Sequence, residues 1–362
     1  MNFLWRDETL FRDESVFDPE YIPETLIHRE RQMMALAMNL RPALRNSSPI
    51  HTILFGPPAT GKTSTLRTIL REIDDHAIIT YVRCPLARTS YRVFSRIFER
   101  VYGYPPPHTG ISIARMYELI CEGLLERNKP LIVALDDFNF LERDAGNEIL
   151  YALLKAHEEY SIRIGIILVT TERIELDEKT GAVFHPDEIY FPLYDEDEIR
   201  DILLQRIRLG FYDGVIADEA FERIVELTAR TSDLRFGIYL LRMSGIEAER
   251  RASRRIELRD VEMVYEGGAR VFLAKSISAL NSDEREALKI IYSIEGDVNS
   301  GDIYRILKAE VNMGYTRFYE IINKLERLRL IDVVMGKKGR GRTRYIIRRY
   351  DRELMLKALM EG

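Results

Sequence analysis

The positions of apolar residues divide the chain into regions with different periods. Before residue 190, short apolar runs alternate with longer stretches in which apolar residues recur every three or four positions. The runs predict strands near 51–55, 78–83, 131–135 and 164–169, and the stretches predict helices near 62–73, 90–102, 112–127 and 145–159. Such alternation is typical of a parallel sheet with helices on both faces.

From about Asp195 onward the pattern is helical only. Apolar residues at i, i+3, i+4 and i+7 predict a bundle of helices at 195–209, 217–230, 235–251 and 258–272. Residues 273–362 then predict a winged helix-turn-helix, with helices near 300–309 and 316–328 and strands at 331–335 and 344–348. The predicted fold is therefore an α/β base at 1–190, a helical lid at 191–272 and a winged helix at 273–362.

A glycine-rich loop follows the first predicted strand, with the sequence Gly56-x-x-x-x-Gly61-Lys62-Thr63. Glycines permit the tight turn that directs successive N–H groups toward a phosphate, and the helix after the loop adds partial positive charge. In this pattern Lys62 bridges the terminal phosphates and the Thr63 hydroxyl binds Mg²⁺. The loop predicts a nucleoside triphosphate site, with candidate contacts at Ala59, Thr60, Gly61, Lys62, Thr63 and Ser64.

Two carboxylates end the apolar run at 131–135. Open α/β sheets place ligands at the carboxyl ends of their strands, so Asp136 is the expected carboxylate partner of Mg²⁺. Asp137 stands where many such ATPases have a Glu that polarises the attacking water. Because Asp is one methylene shorter, we expect slow hydrolysis.

The net charge of −5 conceals a basic C-terminal region. Residues 273–362 contain 18 Lys and Arg against 13 Asp and Glu, whereas the rest of the chain is acidic. The predicted wing contains the basic residues Lys337, Lys338, Arg340, Arg342 and Arg344. We expect these residues to contact DNA phosphates, with Arg317 and Asn323 of the preceding helix nearest the base edges. The alternative is a solvated hairpin without a partner.

Composition restricts the other possibilities. No apolar run approaches the roughly 20 residues of a membrane helix, and the first residues are too acidic for a signal peptide. Cys84 and Cys121 are far apart in sequence and lack metal-ligand spacing. We therefore expect reduced core thiols and a cytoplasmic, nucleoid-associated protein.

Together these motifs resemble the archaeal origin-recognition proteins, which are AAA+ replication initiators. The resemblance covers nearly the whole chain and includes the segments 11–14, 21–24, 28–30, 91–93, 191–194 and 232–235. It implies an AAA+ ATPase base, a helical lid and a winged helix, with ATP or ADP and Mg²⁺ as cofactors. It also implies double-stranded origin DNA, further initiator copies and the replicative helicase as partners.

The resemblance also implies roles for individual residues. Ile22 and Arg29 would line an adenine pocket that Tyr194 and Arg206 close from the lid. Arg235 corresponds to the lid arginine called sensor 2, which contacts the terminal phosphate. Residues 106–115 correspond to an insertion that makes a second DNA contact, with candidates Thr109, Gly110 and Ser112.

Three positions depart from the pattern of this family. The sensor 1 residue, usually Asn, is Thr170 or Thr171, Asp137 replaces Glu, and only Lys179 stands where an arginine finger is expected. These departures favour nucleotide binding with slow hydrolysis. Two alternatives remain: a DNA-bound regulator that holds ADP, and a signalling NTPase whose winged helix binds partners. The basic wing argues against the second.

Overall fold

The computed structural model describes residues 9–107, 110–171, 174–294, 296, 298–311, 313–328, 330–338 and 341–361. The chain forms two compact units. One is Glu20–Tyr194, and the other combines the residues up to Pro19 with those from Asp195 onward. The sequence-based boundaries at 190 and 272 stay a prediction.

The unit Glu20–Tyr194 is a five-stranded parallel sheet between two layers of helices, which confirms the predicted α/β class. Its strands are β1 (Thr52–Phe55), β2 (Ile78–Arg83), β3 (Leu131–Asp136), β4 (Ile164–Thr170) and β5 (Asp187–Tyr190), in the order β2-β3-β4-β1-β5. Its helices are α1 (Glu30–Leu40), α2 (Lys62–Glu72), α3 (Ser90–Tyr102), α4 (Ile113–Arg127), α5 (Arg143–Tyr160) and α6 (Glu178–Val183). The sequence did not predict β5, because this short edge strand has one buried residue, Ile189, among exposed ones.

Strand β3 shows why the central strands of this sheet are unbroken apolar runs in the sequence. Leu131, Val133 and Leu135 face the core beneath α3, α4 and α5, whereas Ile132 and Ala134 face the core beneath α1 and α2. Both faces are covered, so every position before Asp136 is apolar and buried. The strand therefore delivers a carboxylate only at its carboxyl end.

Both cysteines lie in the core, as predicted. Cys84 and Cys121 are buried free thiols, and burial raises the pKa of each to about 12. Thiols protonated to this degree are poor nucleophiles and poor metal ligands.

The second unit begins with an N-terminal segment that packs on helices of the lid region. Its helices are α7 (Glu196–Gly210), α8 (Asp218–Thr231), α9 (Leu234–Arg250) and α10 (Leu258–Ser278). The rings of Phe11 and Phe17 lie 4.9 and 4.7 Å from that of Phe211, which follows α7 directly. Arg242 of α9 pairs with Glu14 and Asp18 of the segment. Aromatic packing and ion pairs thus fix the segment to this unit.

The same unit contains the winged helix. It comprises α11 (Ser282–Ser293), β6 (Val298–Asn299), α12 (Ser300–Val311), α13 (Tyr315–Arg327), β7 (Ile331–Lys338), β8 (Gly341–Arg348) and α14 (Arg352–Glu361), with the sheet order β6-β8-β7. The predicted strands 331–335 and 344–348 were too short. Pairing continues to Lys338 opposite Gly341. The Gly and Lys content of 336–343 has low strand propensity, and the hairpin register overrides it.

Candidate functional site: a phosphate loop and a basic winged helix

The loop between β1 and α2 has the backbone geometry that its glycines were expected to provide. Gly56 has φ +142° and Gly61 has φ +88°, values that disfavour other residues. A Cβ on Gly56 would lie 2.3 Å from the backbone oxygen of Phe191. Ala59 also adopts a left-handed conformation, with φ 59°. The loop is therefore held in a strained, preformed turn.

Lys62 is ordered by the loop that precedes it. Its ammonium donates hydrogen bonds of 2.7 Å to the backbone oxygens of Gly56 and Pro57, and the residue is only 6% exposed. It also opens α2, whose first N–H groups have no helical carbonyl to donate to. The cation and the helix N-terminus together make a preformed anion site.

Thr63 and Asp136 meet beside this loop. The Thr63 hydroxyl lies 3.1 Å from both carboxylate oxygens of Asp136, and the Tyr81 hydroxyl donates a second hydrogen bond to Oδ2. Burial raises the pKa of Asp136 above its ordinary value, while the hydrogen bonds from Tyr81 and Thr63 oppose that rise. The structure thus brings Thr63 and Asp136 into contact, and Tyr81 joins them as a third residue that the sequence reasoning missed. Their role toward a metal stays a prediction.

The two other predicted catalytic positions in this unit lie at strand ends. Asp137 follows β3 directly in a left-handed conformation, with φ 56°, and begins a short 3₁₀ turn. Thr170 is the last residue of β4, is 1% exposed and pairs in register with Phe55. Both stand at the same sheet edge as Asp136.

Arg29 joins three segments around the loop. Its guanidinium donates hydrogen bonds to the backbone oxygens of Thr60, at 2.8 Å, and of Pro192, at 2.8 Å, and it stacks on the Tyr194 ring at 3.6 Å. Arg29 is 2% exposed, and Ile22 of the same unit is half-buried. The structure therefore brings two of the predicted adenine-pocket residues, Arg29 and Tyr194, against the loop.

Ser64, another predicted contact, is the third residue of α2. The predicted nucleotide residues Arg206 and Arg235 belong to the second unit. Arg206 of α7 is buried and donates a 2.9 Å hydrogen bond to the backbone oxygen of Val16. Arg235, in the first turn of α9, forms a bidentate pair with Asp233, at 3.0 and 2.8 Å. Their roles toward a nucleotide stay predictions.

On the winged helix, α13 presents a mixed surface. Its exposed positions are Tyr315, Thr316, Glu320, Asn323 and Arg327. Arg317 is partly engaged within the fold, because its guanidinium lies 3.1 Å from Glu320 and 3.7 Å from Glu284. Of the two predicted base-reading residues, Asn323 therefore lies on the open face, whereas Arg317 lies on its flank.

The wing strands carry the predicted basic residues in register. Lys337 stands opposite Arg342 across the hairpin, and Arg344 of β8 lies 4.6 Å from the Tyr319 ring of α13. Arg340 lies outside the described residues. Arg344 thus connects the base of the wing to α13 by a cation–π contact.

The insertion that was predicted to form a second DNA contact is only partly described. Thr109 lies outside the described residues, and Gly110 is exposed with φ +86°. The Ser112 hydroxyl caps α4 by accepting a hydrogen bond from the Arg115 N–H at 3.1 Å. Any contact of Ser112 with DNA would therefore come in addition to its capping role.

Comparison with known proteins agrees with this arrangement. Residues 45–178 match the AAA domain family, and residues 200–266 match the Cdc6 AAA+ ATPase-type lid domain. The chain is 45% identical to an ORC1-type DNA replication protein 2 of Archaeoglobus fulgidus, covering 98% of this chain and 94% of that protein. A second protein of that name, from Methanosarcina acetivorans, is 42% identical over 99% of this chain and 98% of its own length.

Solved structures of ORC proteins also resemble this chain over nearly its whole length. The ORC1 protein of Aeropyrum pernix, determined in complex with DNA, superposes with a TM-score of 0.67 at 29% identity, covering 99% of this chain and 98% of that one. The ORC2 protein of the same organism, in ADPNP and ADP complexes, shares the fold with a TM-score of 0.76 at 22% identity, covering 97% of this chain and 98% of that one. With an AAA+ base, a Cdc6-type lid and relatives above 40% identity over nearly the whole chain, the protein belongs to the archaeal ORC1-type DNA replication proteins.

Proposed function

We propose that this protein is an ATP-regulated replication initiator that binds double-stranded origin DNA through its winged helix. The observation that supports the nucleotide part most strongly is the contact of Thr63 with Asp136 beside a loop in which Lys62 is already ordered. The DNA part rests on the basic hairpin and on membership of the ORC1-type family.

The residues at the loop fit a Mg²⁺ ion that arrives with a nucleotide. Mg²⁺ is usually bound through one or two protein oxygens together with phosphates and water. Thr63 and Asp136 offer a hydroxyl and a carboxylate, and among the residues that the structure describes no three His, Cys, Asp or Glu side chains form a metal cage. In the bound state the ion would neutralise phosphate charge, and Thr63 and Asp136 would be the residues that hold it.

Hydrolysis would be slow and would serve as a switch. Lys62 and the N-terminus of α2 hold the phosphates, and Arg235 would sense the terminal one. Asp137 would orient the attacking water, and its short side chain makes it a weaker base for this purpose than Glu. With Lys179 in place of a finger arginine, the rate would lack a contribution of about 10³–10⁵.

DNA binding would use both α13 and the wing. Lys337 and Arg342 occupy directly opposed positions, where like charges destabilise a hairpin that has no anionic partner. A polyanion removes that cost, and phosphate contacts of this kind fix the position of a protein on a duplex. Asn323 on the exposed face of α13 is suited to read base edges.

Origin recognition can be tested by mapping where the protein is bound along the genome that encodes it. We expect sites confined to replication origins, and loss of nucleotide binding in a Lys62→Ala variant. Binding scattered over promoters would instead support the DNA-bound regulator, and no DNA occupancy would support the signalling NTPase. We further propose that other initiator copies and the replicative helicase bind the complex at the origin, in the cytoplasm and at the nucleoid.

A further inference from the structure

We propose that Tyr81 is a positioning residue for the metal-binding carboxylate of the nucleotide site. The proposal rests on the nucleotide site inferred above and assigns a role to a residue outside the phosphate loop and the acidic strand end. Its basis is the hydrogen bond that the Tyr81 hydroxyl donates to Oδ2 of Asp136.

The sheet explains why a tyrosine on β2 reaches a carboxylate on β3. Tyr81 stands in register with Ala134, and Asp136 lies two residues further along the same face of β3. Ala134 is small, so the long tyrosine ring passes over it toward the end of the strand. The same register brings Arg83 opposite Asp136. A shorter residue at position 81 would not span this diagonal.

Packing holds the hydroxyl in place. The Tyr81 ring is half-buried and packs against the core cluster that contains Leu66 of α2 and Ala134 of β3. A side chain packed in this way has little rotamer freedom, so forming its hydrogen bond costs little side-chain conformational entropy. The phenol of a tyrosine is protonated at neutral pH, so the Tyr81 hydroxyl is available as a donor.

Asp136 is thus held from two directions. Thr63 approaches from α2 and Tyr81 from β2, so the planar carboxylate is fixed about its terminal torsion. Hydrogen bonds from residues that do not touch the metal orient the side chains that bind it, and their removal typically weakens metal affinity by about 10–100-fold. The role of Tyr81 would therefore appear in Mg²⁺ dependence and not in nucleotide binding as such.

The test is a Tyr81→Phe variant of the full chain, which keeps the ring and removes only the hydroxyl. Affinity for a fluorescent ADP analogue is measured by anisotropy, once in EDTA and once as Mg²⁺ is titrated. We expect parental affinity in EDTA and a half-saturating Mg²⁺ concentration raised about tenfold. The matched control is Tyr102→Phe. It removes a hydroxyl that donates a 2.6 Å hydrogen bond to the Leu119 backbone oxygen, away from the site.

Each outcome decides between the alternatives. The positioning role would be overturned if Tyr81→Phe needed no more Mg²⁺ than the parent. It would also be overturned if the variant lost as much affinity for the ADP analogue in EDTA as it does in Mg²⁺. In an Asp136→Ala background, Tyr81→Phe should have no further effect on the Mg²⁺ requirement, and an added effect there would also contradict the proposal. If the parent protein itself bound no nucleotide, the proposed function would fail instead.

Discussion

The guanidinium of Arg29 lies 3.6 Å from the centre of the Tyr194 ring, and the Tyr194 hydroxyl lies 2.6 Å from where a Cβ on Gly61 would stand. These two contacts connect α1, the phosphate loop and the segment after β5. The loop conformation therefore depends on residues more than 100 positions apart in the sequence, which the loop motif itself does not include.

The buried Arg29 should be essential for both stability and nucleotide affinity. Arg29→Ala leaves three backbone oxygens, those of His28, Thr60 and Pro192, without their donor. We expect a loss on the order of 3 kcal/mol in the free energy of unfolding, measured by urea denaturation, and weaker ADP binding. Arg31→Ala, at an exposed position in the first turn of α1, is the control and should change neither. Equal effects of the two changes would contradict this role.

Gly56 should tolerate no side chain, for reasons of space as well as conformation. Gly56→Ala places a Cβ 2.3 Å from the Phe191 backbone oxygen, so strands β1 and β5 must separate locally. Gly103→Ala meets nothing within 4 Å although its φ is +83°. We expect Gly103→Ala to cost about 1 kcal/mol of unfolding free energy, and Gly56→Ala to cost clearly more in the same measurement. Similar losses would mean that the close approach to Phe191 is unimportant.

The winged helix should lose stability in acid through Glu284. Burial alone raises the pKa of this carboxyl, but hydrogen bonds from Lys324 and from the Asn281 N–H, with the charge of Arg317, bring it below its ordinary value. A depressed folded-state pKa stabilises the fold above the pKa of the unfolded chain, and that stability is lost as pH falls through the folded-state value.

Glu284→Gln should therefore lower stability at pH 7 and flatten its decline below about pH 5, in thermal unfolding followed across pH. The control is Glu286→Gln on the same helix, whose carboxylate lies 3.5 Å from Lys289 at the surface. If both variants follow the parent curve, Glu284 does not contribute to the acid sensitivity.

Glu320 should limit the affinity of α13 for DNA. It is an exposed acid beside Asn323 on the predicted DNA-binding face, and it pairs with Arg317 at 3.1 Å. Glu320→Gln removes a charge that repels phosphate and one of the two acids that lie near Arg317, so we expect tighter binding to every duplex at low salt. Fluorescence anisotropy with specific and unrelated duplexes measures this. Unchanged or weaker binding would place Glu320 away from the DNA.

The sequence predicted site residues best where the role of a residue depends on its neighbours in the sequence. The loop from Gly56 to Thr63 and the carboxylate of Asp136 follow from residue types that only one local geometry satisfies, and the structure brings Thr63 and Asp136 together. Tyr81 was missed because its importance depends on the β2–β3 register, which sequence spacing does not reveal. The engagement of Arg317 was missed for a similar reason, since Glu284 lies on another helix.

The central claim is that the basic wing holds DNA by its phosphates. The most direct measurement is the salt dependence of binding to an origin duplex, compared between the parent and a variant in which Arg340 and Arg342 are both changed to Gln. We expect weaker binding to all sequences and a slope of log affinity against log salt that is smaller by about 1.8, or two phosphates. If the variant binds as tightly as the parent with the same slope, the wing is a solvated hairpin and the account of DNA binding is wrong.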